Sequence, residues 1–355
     1  MGKINSIQFC SIFIIIILQS LFGLEGLNFI TSNSSYLSII ICFILSLLLV
    51  FLFIYIFSFK KELSIDEKIK LLFNKKISFI LNLFLIICFI NISITIFYNL
   101  NNFINTEFLT NTPILIIGLL FSIVIIYINT KGLEVISRVS FIFLIFYFLF
   151  FLIGILSLIN IINLNNFLPF NFNFYGTYNN SLYIILNNIL PIFLLLIIPK
   201  KRIIDHNKTN KYIIISYFIS FLIILILVIY IIGILGINLT NFYQYPEYMI
   251  YKRINLFNFI NRIENLLIIK YIFNYFISLS LITHYISKTI TKKNNNYLYI
   301  IITLIPLLLS LVFKNQTTFK NYIYYIVPIT RLIILLIFIL IGFKIILYKK
   351  KYNDS

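Results

Sequence analysis

Catalysis needs a nucleophile beside a base, paired acids or a metal, and this chain is poor in all three. Its two histidines, His206 and His284, have no metal-ligand spacing, and its ten Asp and Glu are scattered rather than paired. No glycine-rich phosphate loop is present. Cys10, Cys42 and Cys88 all fall inside apolar stretches and read as small buried hydrophobes. The expectation is a protein that is not an enzyme and carries no cofactor or metal. Its chemistry lies instead in polar and ionisable side chains set within long apolar blocks, where each is costly unless paired or hydrated.

Four such groupings stand out. Gly23 and Gly26 flank Glu25 in QSLFGLEGLN. Two glycines around a carboxylate weaken a helix; this is either a broken helix lining a polar cavity or a carboxylate that snorkels to the nearer boundary. Asn187 and Asn188 precede Pro191, which removes one helix N–H and clashes with the turn before it, so the helix should kink or open near Asn187. Lys270 and Asn274 are spaced i,i+4 and share a face. Asn91 and Thr95 have the same spacing, suited to a cavity wall or to bonds between helices. Together they suggest a ligand site between the breaks at Gly23–Gly26 and Asn187–Pro191, walled by Asn91, Thr95 and Asn274. Glu25 and Lys270, at similar depth in their blocks, are expected either to pair across its outer mouth or to snorkel separately. His284, near the end of its block, is expected at the interface.

The elements that must carry these residues follow from composition. The chain of 355 residues is 61% hydrophobic and 11% charged, under half the charge a soluble domain uses. Its apolar residues fall in blocks of roughly 17–25, the length that crosses a bilayer as a helix. These read as about ten spans, near residues 7–30, 37–57, 77–98, 112–128, 139–161, 181–198, 212–236, 266–287, 297–313 and 322–346. The stretches 58–76 and 239–264 are too polar to span and are expected to lie at opposite interfaces. The net charge of +18 belongs with the membrane surface rather than with nucleic acid, since no basic soluble stretch exists. Most of the 28 Lys and Arg fall in alternate loops, while 31–36, 99–111 and 161–180 hold none. That alternation predicts both termini on the cytoplasmic side. No small-residue cleavage site follows the first block, so it is expected to remain as a span. The whole chain, 1–355, reads as a single membrane domain.

The interruptions at Gly23–Gly26 and at Pro191 fall in the first and sixth spans, matching positions of two halves at about 7–161 and 181–346. Such pairing points to an inverted-repeat binding site near the midplane. Two segments then carry a family likeness. KGLEVISRV (131–139) and YPEYMIYKRINLFNFINRIENLLIIKY (245–271) resemble the corresponding stretches of the spore germination permeases, the B subunits of nutrient germinant receptors. The resemblance implies the amino acid–polyamine–organocation transporter fold, a LeuT-type five-plus-five inverted repeat with helices 1 and 6 broken. It also implies a small nutrient such as an amino acid as ligand, and an A subunit and a lipoprotein C subunit as partners. A secondary transporter of amino acids is the competing reading, because the fold serves both. In the first span the sequence departs from the family's G-x-G-L-L-x-L-P: Leu24–Thr31 lacks one glycine and the proline.

Overall fold

The computed structural model describes residues 3–21, 32, 34–168, 174–256, 260–261, 264–291, 296–313 and 315–353. Over these residues the fold is that of an all-α membrane protein. The helices are α1 (Ser6–Leu21), α2 (Ser35–Ser58), α3 (Ile65–Leu72), α4 (Lys75–Glu107), α5 (Ile114–Lys131) and α6 (Leu133–Leu158). They continue with α7 (Phe174–Leu194), α8 (Thr209–Phe242), α9 (Pro246–Tyr251), α10 (Glu264–Ile290), α11 (Asn296–Ser310) and α12 (Gln316–Asn353). Two two-residue strands, Asn255–Leu256 and Ile260–Asn261, pair antiparallel between α9 and α10. A helix overlaps each expected block over its described residues, and α3 and α9 are short additions. Seven helices are long and apolar enough over described residues to cross a membrane, while Ser6–Ser20 and Asn296–Ser310 are apolar but shorter.

Burial sorts the helices. A helix that is apolar all round belongs inside other helices, and every residue from 11 to 20 of α1 and from 187 to 200 at the end of α7 is buried. The membrane-length window of α7 is 72% buried, against 28% for α6. α1 packs on α6, α7, α8 and α10, and α7 packs also on α2 and α12. α1 and α7 therefore form the centre. Around them α5, α6, α11 and α12 turn rows of Ile, Leu and Phe outward.

Local chemistry sets the ends. Gly132 alone separates α5 from α6; its φ of 89° is open to glycine and strained for other residues. The loop expected there thus shrinks to one residue, with Glu134 in the first turn of α6 paired to Arg138. α8 bends at Gly236, where φ is 68°. The bend frees carbonyls, and the Gly233 oxygen accepts from the Asn163 N–H at 3.0 Å and the Asn166 amide at 2.7 Å. At the basic end, Ile4 bridges to Ile203 and the Lys201 N–H reaches the Lys61 carbonyl at 2.8 Å. There α3 starts with a capping box of Ser64 and Glu67. Its buried Lys68 donates to the Ile56 carbonyl at 2.8 Å, capping α2. Burial first, and then the nearby Lys200 charge, push that ammonium's pKa down to about 7.

Three sequence expectations are corrected. The break near Asn187 does not occur there: α7 runs on through Asn187 and Pro191, and leaves regular helix as a 3-10 turn at Leu195–Ile197. Proline costs the one bond that the Asn187 carbonyl would have accepted, and it falls in the last turn, so little helix remains beyond it to be bent. The stretch 239–264 does not lie flat on the surface, because Pro246, Glu247, Tyr248, Ile250 and Tyr251 of α9 are buried. His284, expected to face out at the interface, is buried among the helices and 7% exposed. Gly23, Glu25 and Gly26 lie outside the described residues.

Candidate functional site

Polar side chains gather in two layers. The deeper flanks α1. Asn187 and Asn188 of α7 and Asn274 of α10 are each at most 2% exposed. Among the described residues neither amide atom of Asn187 has a partner; nor have the Asn188 oxygen, the Asn274 nitrogen and the Gln19 oxygen of α1. The Asn188 amide nitrogen donates to the Cys42 sulfur, at 3.7 Å. Beside it the Ser46 and Tyr217 hydroxyls share a hydrogen bond between α2 and α8. α1 packs on both α7 and α10, the helices that carry most of these unmet donors and acceptors. An unpaired buried amide costs about 1–3 kcal/mol, so water or a bound polar molecule is the natural partner for such groups.

The expected cavity wall is only partly assembled. Asn274 belongs to this layer. Asn91 does not: it is half-buried, accepts from the Tyr322 hydroxyl at 2.8 Å and donates to the Ile87 carbonyl, so its bonds are spent on α12 and its own helix. Thr95 is buried and donates to Ile92, at 2.8 Å.

The second layer is charged and aromatic. Lys270 of α10, 3% exposed, forms an ion pair with Glu247 of α9, which is fully buried. The Tyr271 hydroxyl donates to the other Glu247 oxygen at 2.7 Å. The Lys270 ammonium stands 4.8 Å from the centre of the Tyr147 ring on α6, within cation–π range. Lys270 is therefore not snorkelling, and among the described residues the carboxylate that meets it is Glu247. Its expected partner, Glu25, lies outside the described residues. Sequence reading missed Glu247 because it sat in a stretch taken for a solvated interface. A signal existed in Tyr-Pro-Glu: proline at a first helical position followed by an acid begins helices.

α9 is held by more than its charge. Phe103 of α4 meets Tyr245, Tyr248 and Tyr271 with ring centroids 4.8–5.6 Å apart. Tyr251 lies against the bare backbone of Gly154 on α6. After α9, Arg253 donates to the Ile234 carbonyl at 3.0 Å, beside the bend of α8. The Asn102 amide donates to the Tyr245 hydroxyl at 3.1 Å. Asn102 also borders a small cavity of about 300 Å³ with Tyr98, Asn101, Ser310 and Phe313. α9 is thus a plug seated among α4, α6, α8 and α10, on the far side of the bundle from the basic end. Among the described residues no cluster of His, Cys, Asp and Glu could hold a metal ion.

Compared with known families, the chain matches the family model described as spore germination protein over residues 3–319. None of the curated proteins matches it.

Proposed function

The chain belongs to the spore germination protein family, and from that premise we propose that it is the nutrient-binding membrane subunit of a germinant receptor. Membership makes it a permease-like membrane protein of germination, and the finer reading rests on the deeper polar layer. The observation that carries it is Asn187, fully buried on a central helix with both ends of its amide unmet. In this reading a small nutrient such as an amino acid lies beside α1, bonded by Asn187, Asn188 and Asn274. Gly23, Glu25 and Gly26 complete the site from the continuation of the first span. The plug α9 covers it, and the Glu247–Lys270 pair holds the plug shut. The fold is a five-plus-five inverted repeat in one membrane domain, with α3 and α9 outside the ten spans. Both termini are cytoplasmic, where the basic end faces anionic lipid. An A subunit and a lipoprotein C subunit receive the signal.

The test is the germination response of spores carrying Asn187→Leu. An isosteric apolar side chain needs no partner, so folding and receptor abundance stay near wild type. The nutrient concentration for half-maximal germination should rise by about tenfold, the loss of roughly 1.4 kcal/mol of binding. Co-purification of the variant with its A and C subunits separates lost binding from lost assembly. An unchanged dose response at unchanged abundance excludes this site.

A further inference from the structure

A cleft of about 890 Å³ opens at the basic end of the bundle, between the first turns of α4, the end of α3 and the end of α10. Its lining divides by chemistry. Lys70, Lys75 and Lys76 form the rim, and Phe79, Leu83, Ile86 and Ile290 form the wall beyond it. Phe79 and Leu83 are exposed on a helix that is apolar enough to span, so hydrocarbon rather than water is their natural neighbour.

Most of the rim charge is not neutralised by the described residues. Lys75 and Lys76 form no ion pair among the described residues, and Lys70 reaches Asp66 only at 4.0 Å. Both of the unpaired lysines sit in the first turn of α4, where free N–H groups add positive partial charge. That turn contains no acid, and Asn74 supplies no side-chain cap. A 33-residue helix thus begins with two cations at its positive pole, an arrangement that repels itself unless an anion is bound.

Within the cleft lies a third feature. Asn82 is 8% exposed and its amide oxygen has no partner. It stands roughly 10 Å further along α4 than Lys75, at 1.5 Å of rise per residue. A cationic rim, with a buried amide and an apolar wall running past it further along α4, matches the groups of a phospholipid: phosphate, ester linkage, acyl chain.

We propose that this cleft is a binding site for an anionic phospholipid. The phosphate sits against Lys75, Lys76 and the open first turn of α4. The Asn82 amide, turned by a half-rotation, donates to an ester carbonyl. One acyl chain runs along Phe79, Leu83 and Ile86. A free phosphate satisfies the lysines alone and leaves the amide and the apolar wall unused.

Native mass spectrometry of the full-length protein tests this, with phosphatidylglycerol and phosphatidylcholine of identical acyl chains as probes and inorganic phosphate as competitor. Phosphatidylglycerol should be retained over phosphatidylcholine by at least about fivefold, the effect of one lysine near an anionic surface. The double variant Lys75→Gln, Lys76→Gln should lose that preference; both side chains are exposed, so packing is spared. Asn82→Leu should weaken retention of both lipids, and millimolar phosphate should displace neither. Lys349→Gln, which removes a cation lying over Tyr55 instead, should change nothing. Equal retention of the two lipids, an unchanged preference in the double variant, the same loss in Lys349→Gln, or displacement by phosphate would each overturn the proposal.

Discussion

Glu247 and Lys270 are both removed from water, and neither charge is tolerable there alone. Desolvating each ion costs several kcal/mol, repaid only when every lone pair and proton is met. Here the Tyr271 hydroxyl takes the second carboxylate oxygen and the Tyr147 face backs the ammonium. The consequence is strong coupling. Glu247→Gln or Lys270→Met alone should cost about 3–5 kcal/mol, while the double variant should cost less than either single change. Thermal unfolding of the four proteins in one detergent measures it, and additive losses would show that the two charges are not a unit. At this scale the sequence reveals cost more readily than partner. Lys270 was conspicuous because a cation in an apolar block must be accounted for. Glu247 was not, since an acid in a mixed stretch passes for a solvated one. For Asn91 the sequence left two roles open: it bonds between helices to Tyr322, and spacing alone cannot tell that from a cavity wall.

At the scale of elements, hydropathy located the helices and misjudged their ends. The block at 77–98 became a helix running to Glu107. Polar residues stop a membrane-spanning stretch but do not stop a helix, and no glycine or proline intervenes before Pro113. α9 was invisible because six residues are too few to show a period, and its burial depends on surfaces contributed by distant helices. One of those surfaces is Gly154. A Cβ placed there collides with the Tyr251 ring, which is 2% exposed and has little room to retreat. Gly154→Ala should therefore destabilise the protein by about 1–3 kcal/mol, the usual cost of overpacking. Adding Tyr251→Leu should recover part of the loss in the same unfolding assay. Undiminished stability in Gly154→Ala would mean that α9 is not seated tightly against α6.

For the whole molecule, charge distribution was the most legible property and helix adjacency the least. Lysines in alternate loops anticipated one basic end, and the structure gathers Lys61, Lys68, Lys200 and Lys201 there through the Lys61–Lys201 contact and the Lys68 cap. That α1 and α7 occupy the centre required three-dimensional packing, because periodicity is uninformative for a helix apolar on every side. The orientation proposed from charge has a direct test in protein lacking Cys10, Cys42 and Cys88. An impermeant thiol reagent applied to intact cells should label Asn165→Cys, which is exposed in the loop after α6, and should spare Lys208→Cys, exposed at the basic end. The reverse pattern would invert the protein in its membrane.

The central position of α1 has a consequence for how the protein is made. α1 is synthesised before α6, α7, α8 and α10, its principal neighbours, which all follow more than a hundred residues later. Until then the rings of Phe53 and Phe57 on α2, which stack on Phe13 and Phe9, are the contacts within early reach. At ordinary rates of synthesis the wait until α10 is complete is roughly ten to fifty seconds. Throughout it a short helix ending in Gln19 and Ser20 must rest against lipid or the insertion machinery, holding a place that the second half of the chain closes around.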